Sequence, residues 1–444
     1  MPEIEPVSLS RYGEASAVPS PVNRMMAAFA EDFVDGYDIN LGVGYVNEKT
    51  IPDELLEEAL RAVRNDPGHF RQAFNYGGPS GSQNLRRSIR SFYTRNRIGG
   101  HTQETLKDRE ILIGASGATS LLEAVAQVVE PGIAVTPDPL YYIYTDYLLR
   151  LGFELLPAPE DGNGVNTDAL SAKIDALGDR RREIRFIYVV TVANPTSTIL
   201  SNERRKALVE IARRLTLDLG REVPLICDCA YELLIHDPEV QPPNSCLLED
   251  DLGIVYEIGT LSKILAPALR IGFLIGSDKP LLRALVQRIS DVGFSAPLMA
   301  QEMASYLLDN HIEEQIERVN QGYREKAVRV RCGIDDLLGE HLVEVKGGKA
   351  GFYFYLTFED TDTREGSRFF RCLSRSTGCA EIDGAEGKRK PRVVYLPGEF
   401  CVHPKGDLQD IGKRQIRLSY GFEETDRIGE ALGHIAQAVG YSEG

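Results

Sequence analysis

The chain between about residues 53 and 290 alternates short apolar runs with segments of helical periodicity. The apolar runs include EILIGA at 110–115, RFIYVVTVA at 185–193 and VPLICDCA at 223–230, and the amphipathic segment NERRKALVEIARRL follows the second of them. Short, continuously apolar strands between helices are typical of a mostly parallel sheet covered on both faces. The pattern therefore predicts an α/β fold with a mostly parallel central sheet in a large domain.

The pattern changes after a long helical stretch at about 300–338. VEVKGGKAGFYFYLTF and RQIRLSYGF read as strands, and TDRIGEALGHIAQAV reads as a final helix. A chain of 444 residues exceeds the usual size of one domain. We predict a large domain at 54–315 and a smaller α+β domain made of 1–53 and 316–444. The first 37 residues, with one short apolar helix near 24–33, are expected to pack with the small domain.

Charge and composition narrow the possible partners and compartments. A net charge of −16 argues against a general nucleic-acid or anionic-membrane surface. The amino terminus lacks the features of a secretory leader, and no apolar run is long enough to cross a bilayer. Together with an odd count of seven cysteines, this predicts a cytoplasmic protein with reduced thiols. Cys227 and Cys229 could share a strand face, but without a second cysteine pair we predict no metal site.

Small and polar residues follow the strand-like runs, where open α/β sheets bind ligands. Ser116, Gly117 and Ala118 follow one run and open a helix, so their backbone N–H groups could cradle an anion. A tight strand-to-helix turn would explain these three residues equally well.

The other strand ends carry different chemistry. The residues concerned are Tyr141, Asn194, Asp228, Tyr231, Thr260, Ser262 and Lys263. Taken singly they are weak signals, because an aspartate after a strand is often a helix N-cap and a tyrosine is more often core. Together they supply a cup for an anion, an acid, amide and hydroxyl donors, an aromatic face and an amine. A flat, phosphorylated heteroaromatic aldehyde would use each of these groups.

Five ordered motifs sharpen this hypothesis. GTLSKILAPALRIG at 259–272 resembles the lysine motif S-x-S-K-x-x-x-P-x-x-R-x-G of the pyridoxal-phosphate-dependent class I and II aminotransferases, with Thr260 in the first serine place. NPT at 194–196, DCAY at 228–231, YGGPSG at 76–81 and RLSY at 417–420 resemble further motifs of the same enzymes. The resemblance covers roughly residues 38–438 and implies fold type I of the aspartate aminotransferase superfamily.

The resemblance implies roles around the cofactor, pyridoxal 5′-phosphate. Lys263 would form a Schiff base with it and afterwards move a proton as a catalytic amine. Asp228 would pair with the pyridine nitrogen. Asn194 and Tyr231 would donate to the phenolic oxygen, and Tyr141 would stack on the ring.

The resemblance also implies how the phosphate is held. Its predicted ligands are Ser116, the amides near Gly117 and Ala118, Thr260, Ser262 and Arg270. Tyr76 resembles the tyrosine that reaches the phosphate of a neighbouring subunit, which implies a homodimer with a shared active site. A surface or core tyrosine is the alternative for Tyr76.

The resemblance implies fewer residues for the substrate than for the cofactor. Arg417 would bind the substrate α-carboxylate with its planar fork, helped by Asn194 and by the backbone of Gly44. A dicarboxylate substrate would need a second arginine, for which Arg24 and Arg288 are candidates by position only.

Two departures from the family pattern stand out. Ser197 replaces a glycine after NPT, so the turn is expected to differ, and Cys229 is expected to be a small buried residue.

The predicted reaction is the transfer of an amino group between an amino acid and a 2-oxo acid. A pyridoxal-phosphate lyase or an aminocyclopropane-carboxylate synthase-like enzyme remains the alternative, because both would use the same cofactor residues. A transcription regulator with this fold would also carry an N-terminal winged helix. Residues 1–37 are too few for one, and the acidic charge opposes DNA binding.

Overall fold

The computed structural model describes residues 7–385 and 387–443. In this part of the chain the α-helices are α1 Arg11–Ser16, α2 Pro21–Ala30, α3 Asp53–Asn65, α4 Gln83–Arg95, α5 Gln103–Leu106, α6 Gly117–Val128, α7 Tyr142–Leu151, α8 Thr167–Ala176, α9 Asn202–Leu219, α10 Pro280–Asp291, α11 Leu298–Asn310, α12 Ile312–Leu338, α13 Arg368–Ser374, α14 Ala380–Asp383, α15 Gln409–Gly412 and α16 Thr425–Glu443.

The strands of the same residues are β1 Ile39–Asn40, β2 Arg109–Ile113, β3 Ile133–Asp138, β4 Glu154–Asp161, β5 Gly164–Val165, β6 Ile184–Val190, β7 Leu225–Asp228, β8 Val255–Thr260, β9 Gly272–Ser277, β10 Leu342–Gly347, β11 Tyr353–Phe358, β12 Gly384–Ala385, β13 Lys388–Arg389, β14 Val393–Val394, β15 Leu396–Pro397 and β16 Gln415–Ser419.

A large sheet forms the centre of the molecule, with the described strands in the order β2-β9-β8-β7-β6-β3-β4-β5. The pairs β3–β4, β3–β6, β6–β7 and β7–β8 are parallel, whereas β9 runs antiparallel to both β2 and β8. Strands β3, β7 and β8 are buried throughout, which explains why their sequences are mostly apolar. The predicted α/β fold class and mostly parallel sheet are confirmed. The parallel strands all end at one edge, and that edge carries the site.

A second sheet, β10-β11-β16-β15, is antiparallel. Register pairs Tyr355 of β11 with Arg417 of β16, and Tyr353 with Ser419. Helix α2 packs here, because Val22, Met25 and Phe29 cluster with Tyr355 and with residues 394–401. This part of the lead-in therefore packs against the second sheet.

Several local expectations are refined. The lead-in helix spans α2 rather than 24–33, and a second lead-in helix, α1, packs instead on α7, where Tyr12 meets Tyr147 edge-on at 5.6 Å. The predicted single helical stretch is divided into α11 and α12 at His311. Across the described residues, no helix has the length and apolar character needed to span a membrane.

Candidate active site

A cavity of about 460 Å³ opens at the carboxyl edge of the large sheet. Most of the residues singled out from the sequence line it: Gly44, Ala118, Tyr141, Asn194, Asp228, Tyr231, Thr260, Ser262, Lys263 and Arg270. Most of them lie at or just after strand ends of the large sheet, and these ends converge because the parallel strands point the same way.

Lys263 lies three residues beyond the end of β8, with its amine in the cavity. Its Nζ donates a hydrogen bond to the carbonyl oxygen of Gly44 at 2.9 Å. The amine also lies 5.4 Å from the ring centres of both Tyr231 and Phe352. Burial, followed by the charges of Arg417 and Arg270, lowers the pKa of Lys263 to about 8. The environment thus raises the fraction of the neutral, nucleophilic amine above that of an ordinary lysine.

Asp228 is the last residue of β7 and is 5% exposed. Its Oδ1 accepts the N–H of Ala230 at 3.1 Å, and its Oδ2 accepts the hydroxyl of Tyr188 at 3.2 Å. Burial raises the pKa of Asp228 to about 6, although both hydrogen bonds and Lys263 act in the opposite direction. Because burial disfavours the charged carboxylate, a cationic N–H partner beside Asp228 would stabilise it.

Arg417 lies behind the cavity wall and is 2% exposed. Its Nη1 donates to Oδ1 of Asn194 at 2.8 Å, and its Nη2 donates to the carbonyl of Gly42 at 2.5 Å. The guanidinium also stacks over the ring of Tyr353, 4.4 Å from its centre. The Nε atom is buried without a protein partner. Arg417 is therefore rigidly oriented and keeps one donor unsatisfied.

Tyr231 completes this wall. Its hydroxyl lies 2.7 Å from the hydroxyl of Tyr353, and both side chains are buried. Tyr141 lines the neighbouring part of the cavity, where burial raises the pKa of its phenol. These aromatic side chains form walls that a flat ring could contact.

The predicted anion cup brings together side chains from three segments, whereas the N–H of Gly117 already donates to the carbonyl oxygen of Arg270 at 2.7 Å. Nε of Arg270 donates to Oγ of Ser116 at 3.2 Å, and the hydroxyl of Thr260 lies 2.9 Å from that of Ser262. Gly117 has φ +67°, and a Cβ added there would lie 2.7 Å from Nη2 of Arg270. The cup therefore needs glycine at this position, both for its backbone conformation and for the close approach of the guanidinium.

Three predicted residues lie elsewhere. Tyr76 is 83% exposed and lies near Phe294, outside the cavity of its own chain. Arg24 forms an exposed ion pair with Glu365, and Arg288 donates to Gln127. Neither arginine lines the cavity.

The two departures from the family pattern have structural explanations. Ser197 adopts φ +54°, the left-handed conformation that favours glycine, and its Oγ accepts the N–H of Tyr353 at 3.3 Å. The serine therefore keeps a glycine-like backbone at this position. Cys229 is 8% exposed, which confirms the prediction of a small buried residue.

The sequence pattern does not indicate several residues of the site, among them Tyr188, Phe352, Tyr353 and the cavity-lining Thr119. The signal for Tyr353 was the two-residue period of FYFYLTF, which places it on the same strand face as Tyr355. Only the pairing of β11 with β16 reveals that this face is shared with Arg417.

The donor set fits pyridoxal phosphate. It combines a cup of hydroxyl, amide and guanidinium donors, a buried carboxylate, a partly desolvated amine and a buried Arg417 whose Nε has no protein partner. Each group matches one part of the cofactor or of an amino-acid substrate.

Comparisons with known proteins agree. The family model "Aminotransferase class I and II" matches residues 38–380. Aromatic-amino-acid aminotransferase 1 of Thermococcus litoralis is 24% identical over 407 residues, which are 90% of this chain and 88% of that protein. The uncharacterized HTH-type transcriptional regulator YisV of Bacillus subtilis is 25% identical over 386 residues, 86% of this chain and 70% of the regulator.

Among solved structures, a multiple substrate aminotransferase from Thermococcus profundus superposes with a TM-score of 0.81. The match covers 98% of each chain at 21% identity, and it shows the shared fold. Because the family model covers most of its length, the chain belongs to the class I and II aminotransferases, and its cofactor is pyridoxal phosphate.

Proposed function

We propose that this cavity transfers an amino group between an amino acid and a 2-oxo acid, with Lys263 as the catalytic amine. One observation carries the proposal: the partly desolvated Nζ of Lys263 shares a cavity with Asp228, Tyr231 and Arg270, in front of Arg417. Bound pyridoxal phosphate supplies an electron-accepting ring that stabilises negative charge at the substrate α-carbon.

Lys263 is suited to two tasks. With a pKa of about 8, roughly one amine in ten is neutral at pH 7, compared with fewer than about one in a thousand for an ordinary lysine. The neutral amine can bond covalently to an aldehyde. Once a substrate amine has replaced it, Nζ can accept a proton from the substrate α-carbon. The rings of Tyr231 and Phe352 lie beside Nζ and make its surroundings on that side apolar.

Asp228 would hold a proton on the cofactor's ring nitrogen, and Tyr188 orients its carboxylate. Tyr231 and Asn194 would donate to the phenolic oxygen, while Tyr141 would cover the ring face. These assignments rest on the side chains that line one cavity.

Ser116, Gly117, Ala118, Thr260, Ser262 and Arg270 would bind the phosphate. Arg270 supplies a charge-assisted contact, and the amino terminus of α6 adds a favourable dipole. Arg417, together with Asn194 and the backbone of Gly44, would bind the substrate α-carboxylate. The unsatisfied Nε of Arg417 supports this role.

We also propose that the donor carries an uncharged, bulky side chain. In the described residues, the charged side chains that line the cavity are Glu48, Asp228, Lys263 and Arg270, and the last three are engaged by the cofactor in this proposal. The remaining charge, Glu48, would repel the side-chain carboxylate of an acidic substrate. That carboxylate would also be buried without a partner cation, which is costly. Tyr45, Ile51 and Phe422 add apolar lining. The name of the Thermococcus litoralis relative, an aromatic-amino-acid aminotransferase, supports this proposal.

The decisive experiment adds an amino acid alone to the protein loaded with pyridoxal phosphate. Transamination predicts conversion of the cofactor's absorbance to that of pyridoxamine phosphate, and its recovery on adding a 2-oxo acid. A lyase or synthase would release product without this conversion. Cofactor binding with no chemistry on any donor would favour a regulatory role.

A panel of donors tests the proposed substrate class. We expect phenylalanine or leucine to exceed aspartate and 2-aminoadipate by at least about tenfold in kcat/KM. A preference for the two dicarboxylates would contradict the proposal.

We further propose a homodimer in which Tyr76 reaches the phosphate of the other subunit. Tyr76 is exposed beside Phe74 and Phe294, which form an apolar surface around a second cavity. Mixing inactive Lys263→Ala and Tyr76→Ala proteins should restore activity, because hybrid dimers would contain one intact site. No restoration, in mixtures shown to exchange subunits, would contradict a shared site.

We also propose that the chain forms two domains. We place the large domain at 54–315 and the small domain at 1–53 with 316–444, supported by the location of the large sheet and the second sheet on either side of α12. A cytoplasmic location is supported by unpaired cysteines at all seven positions.

A further inference from the structure

We propose that Tyr353 is a positioning residue that polarises the hydroxyl of Tyr231 and seats Arg417. The inference rests on the proposed function, in which Tyr231 donates to the cofactor. Tyr353 is 1% exposed, and its hydroxyl lies 2.7 Å from the hydroxyl of Tyr231. Its ring lies 4.4 Å from the guanidinium carbon of Arg417. One side chain therefore contacts both a cofactor-binding and a substrate-binding residue.

The proton inventory fixes the direction of the tyrosine pair. A phenol has one proton to donate and also accepts hydrogen bonds. If Tyr231 gives its proton to the cofactor's phenolic oxygen, the hydrogen bond between the two tyrosines must be donated by Tyr353. A hydrogen bond donated into the oxygen of Tyr231 strengthens the one that Tyr231 donates onward.

The surroundings hold Tyr353 in this place. Its backbone N–H donates to Oγ of Ser197 at 3.3 Å. A Cβ added to Gly44 would lie 2.5 Å from its hydroxyl, so the glycine leaves space for the phenol. That space lies beside the carbonyl that accepts from Lys263.

The neighbouring Phe352 shows what an aromatic ring without a hydroxyl does here. Phe352 packs edge-on against Tyr231 at 5.4 Å but has no hydroxyl to bond to it. Tyr353 also packs on Tyr231, at 5.6 Å, but it places a buried hydroxyl on the functional oxygen. A buried hydroxyl needs a hydrogen-bond partner, because leaving it without one is costly. The hydroxyl of Tyr353 has the hydroxyl of Tyr231 as its partner, so Tyr353 has a polar role that Phe352 lacks.

Tyr353→Phe tests the hydroxyl, and Tyr355→Phe is the matched control. Tyr355 lies on the same strand face, is 1% exposed, and bonds Gln415 instead of the site. The measurement is the pH midpoint of the bound cofactor's absorbance change. If Tyr231 donates more weakly, more negative charge stays on the phenolic oxygen of the cofactor. A proton near that oxygen is then held more tightly. We expect the Tyr353→Phe midpoint to rise by about half to one pH unit.

The control and a combined variant separate the explanations. Tyr355→Phe should leave the midpoint unchanged, and adding Tyr353→Phe to Tyr231→Phe should cause no further shift. Tyr353→Leu, which also removes the ring from Arg417, should raise KM for the donor about three- to thirtyfold, whereas Tyr353→Phe should leave KM nearly unchanged. An unshifted midpoint in folded Tyr353→Phe, or an additive shift with Tyr231→Phe, would overturn the inference. Absence of cofactor binding by the unmodified protein would instead overturn the proposed function.

Discussion

Two regions build the active cavity in different ways. The edge of the large sheet contributes side chains from segments that follow the strands, as Lys263 follows β8. The second sheet contributes residues from within its strands, as Tyr353 does from β11 and Arg417 from β16. Both of these side chains are nearly fully buried.

The residues at the edge of the large sheet mainly serve the reaction, whereas those of the second sheet also stabilise the fold. Lys263 lies in a loop and Asp228 lies at the end of β7, and at both places a side chain can be placed for reaction with little effect on the core. Both side chains are held with shifted pKa values that cost stability. A strand side chain is also a packing element, so replacing Arg417 affects both binding and folding. Variants in the two regions should therefore show different combinations of lost activity and lost stability.

The largest effect is expected for Lys263→Ala. Removal of the amine should lower turnover by more than about 10³-fold, because both the covalent and the proton-transfer tasks are lost. The thermal midpoint of the cofactor-free protein should not fall, since a desolvated charge is removed. Lys279→Ala is the control: Lys279 pairs with Glu222 outside the cavity and should leave turnover unchanged. Comparable losses in the two variants would contradict the assignment.

Asp228→Asn should lower turnover by about 10²- to 10³-fold while stabilising the cofactor-free protein. The pKa of Asp228 is raised from 3.8 to about 6, so the folded state resists ionisation. The resulting destabilisation is absent below about pH 4, grows as the pH rises from 4 to 6, and is complete above 6. Denaturant titrations at pH 8 should show the variant more stable by up to about 3 kcal/mol. Equal stability at pH 8 would contradict the assigned desolvation.

Arg417→Lys should weaken both substrate binding and the stability of the fold. Lysine keeps the charge but cannot bond Asn194 and Gly42 together or stack its planar group on Tyr353. We expect KM for the donor to rise about 10- to 100-fold and the free energy of unfolding to fall by about 1–3 kcal/mol. Arg414→Lys is the control, because Arg414 directly precedes β16 and its Nη1 donates to the carbonyl of Phe358 outside the cavity. A loss of stability without a change in KM would assign Arg417 to packing alone.

The smallest effect is expected for Ser197→Gly. Glycine relieves the left-handed backbone at φ +54°, while the weak hydrogen bond to Tyr353 is lost. The two changes oppose each other, so unfolding should shift by less than about 1 kcal/mol. Ser197→Val places a β-branched residue in the same conformation and should destabilise by about 2 kcal/mol or more. Thermal unfolding of both variants checks the sign.

The motif residues at the large-sheet edge could be predicted because they follow apolar runs of recognisable length. Asp228 and Lys263 were selected from this pattern, and the structure brings both into one cavity. Arg417 was identified from its motif alone. Nothing in the sequence pattern indicated its contacts with Gly42 and Tyr353, because these depend on strand pairing.

Local sequence patterns are sufficient to predict the alternation of strands and helices, the parallel sheet and the polar groups at its carboxyl edge. These features are encoded locally, by apolar periodicity and by small residues in turns. The tertiary structure alone decided that Tyr353 meets Tyr231, that Tyr188 holds Asp228, and that Arg24 and Arg288 lie outside the cavity. Such contacts join residues far apart in the chain, and local pattern contains no information about which distant strands become neighbours.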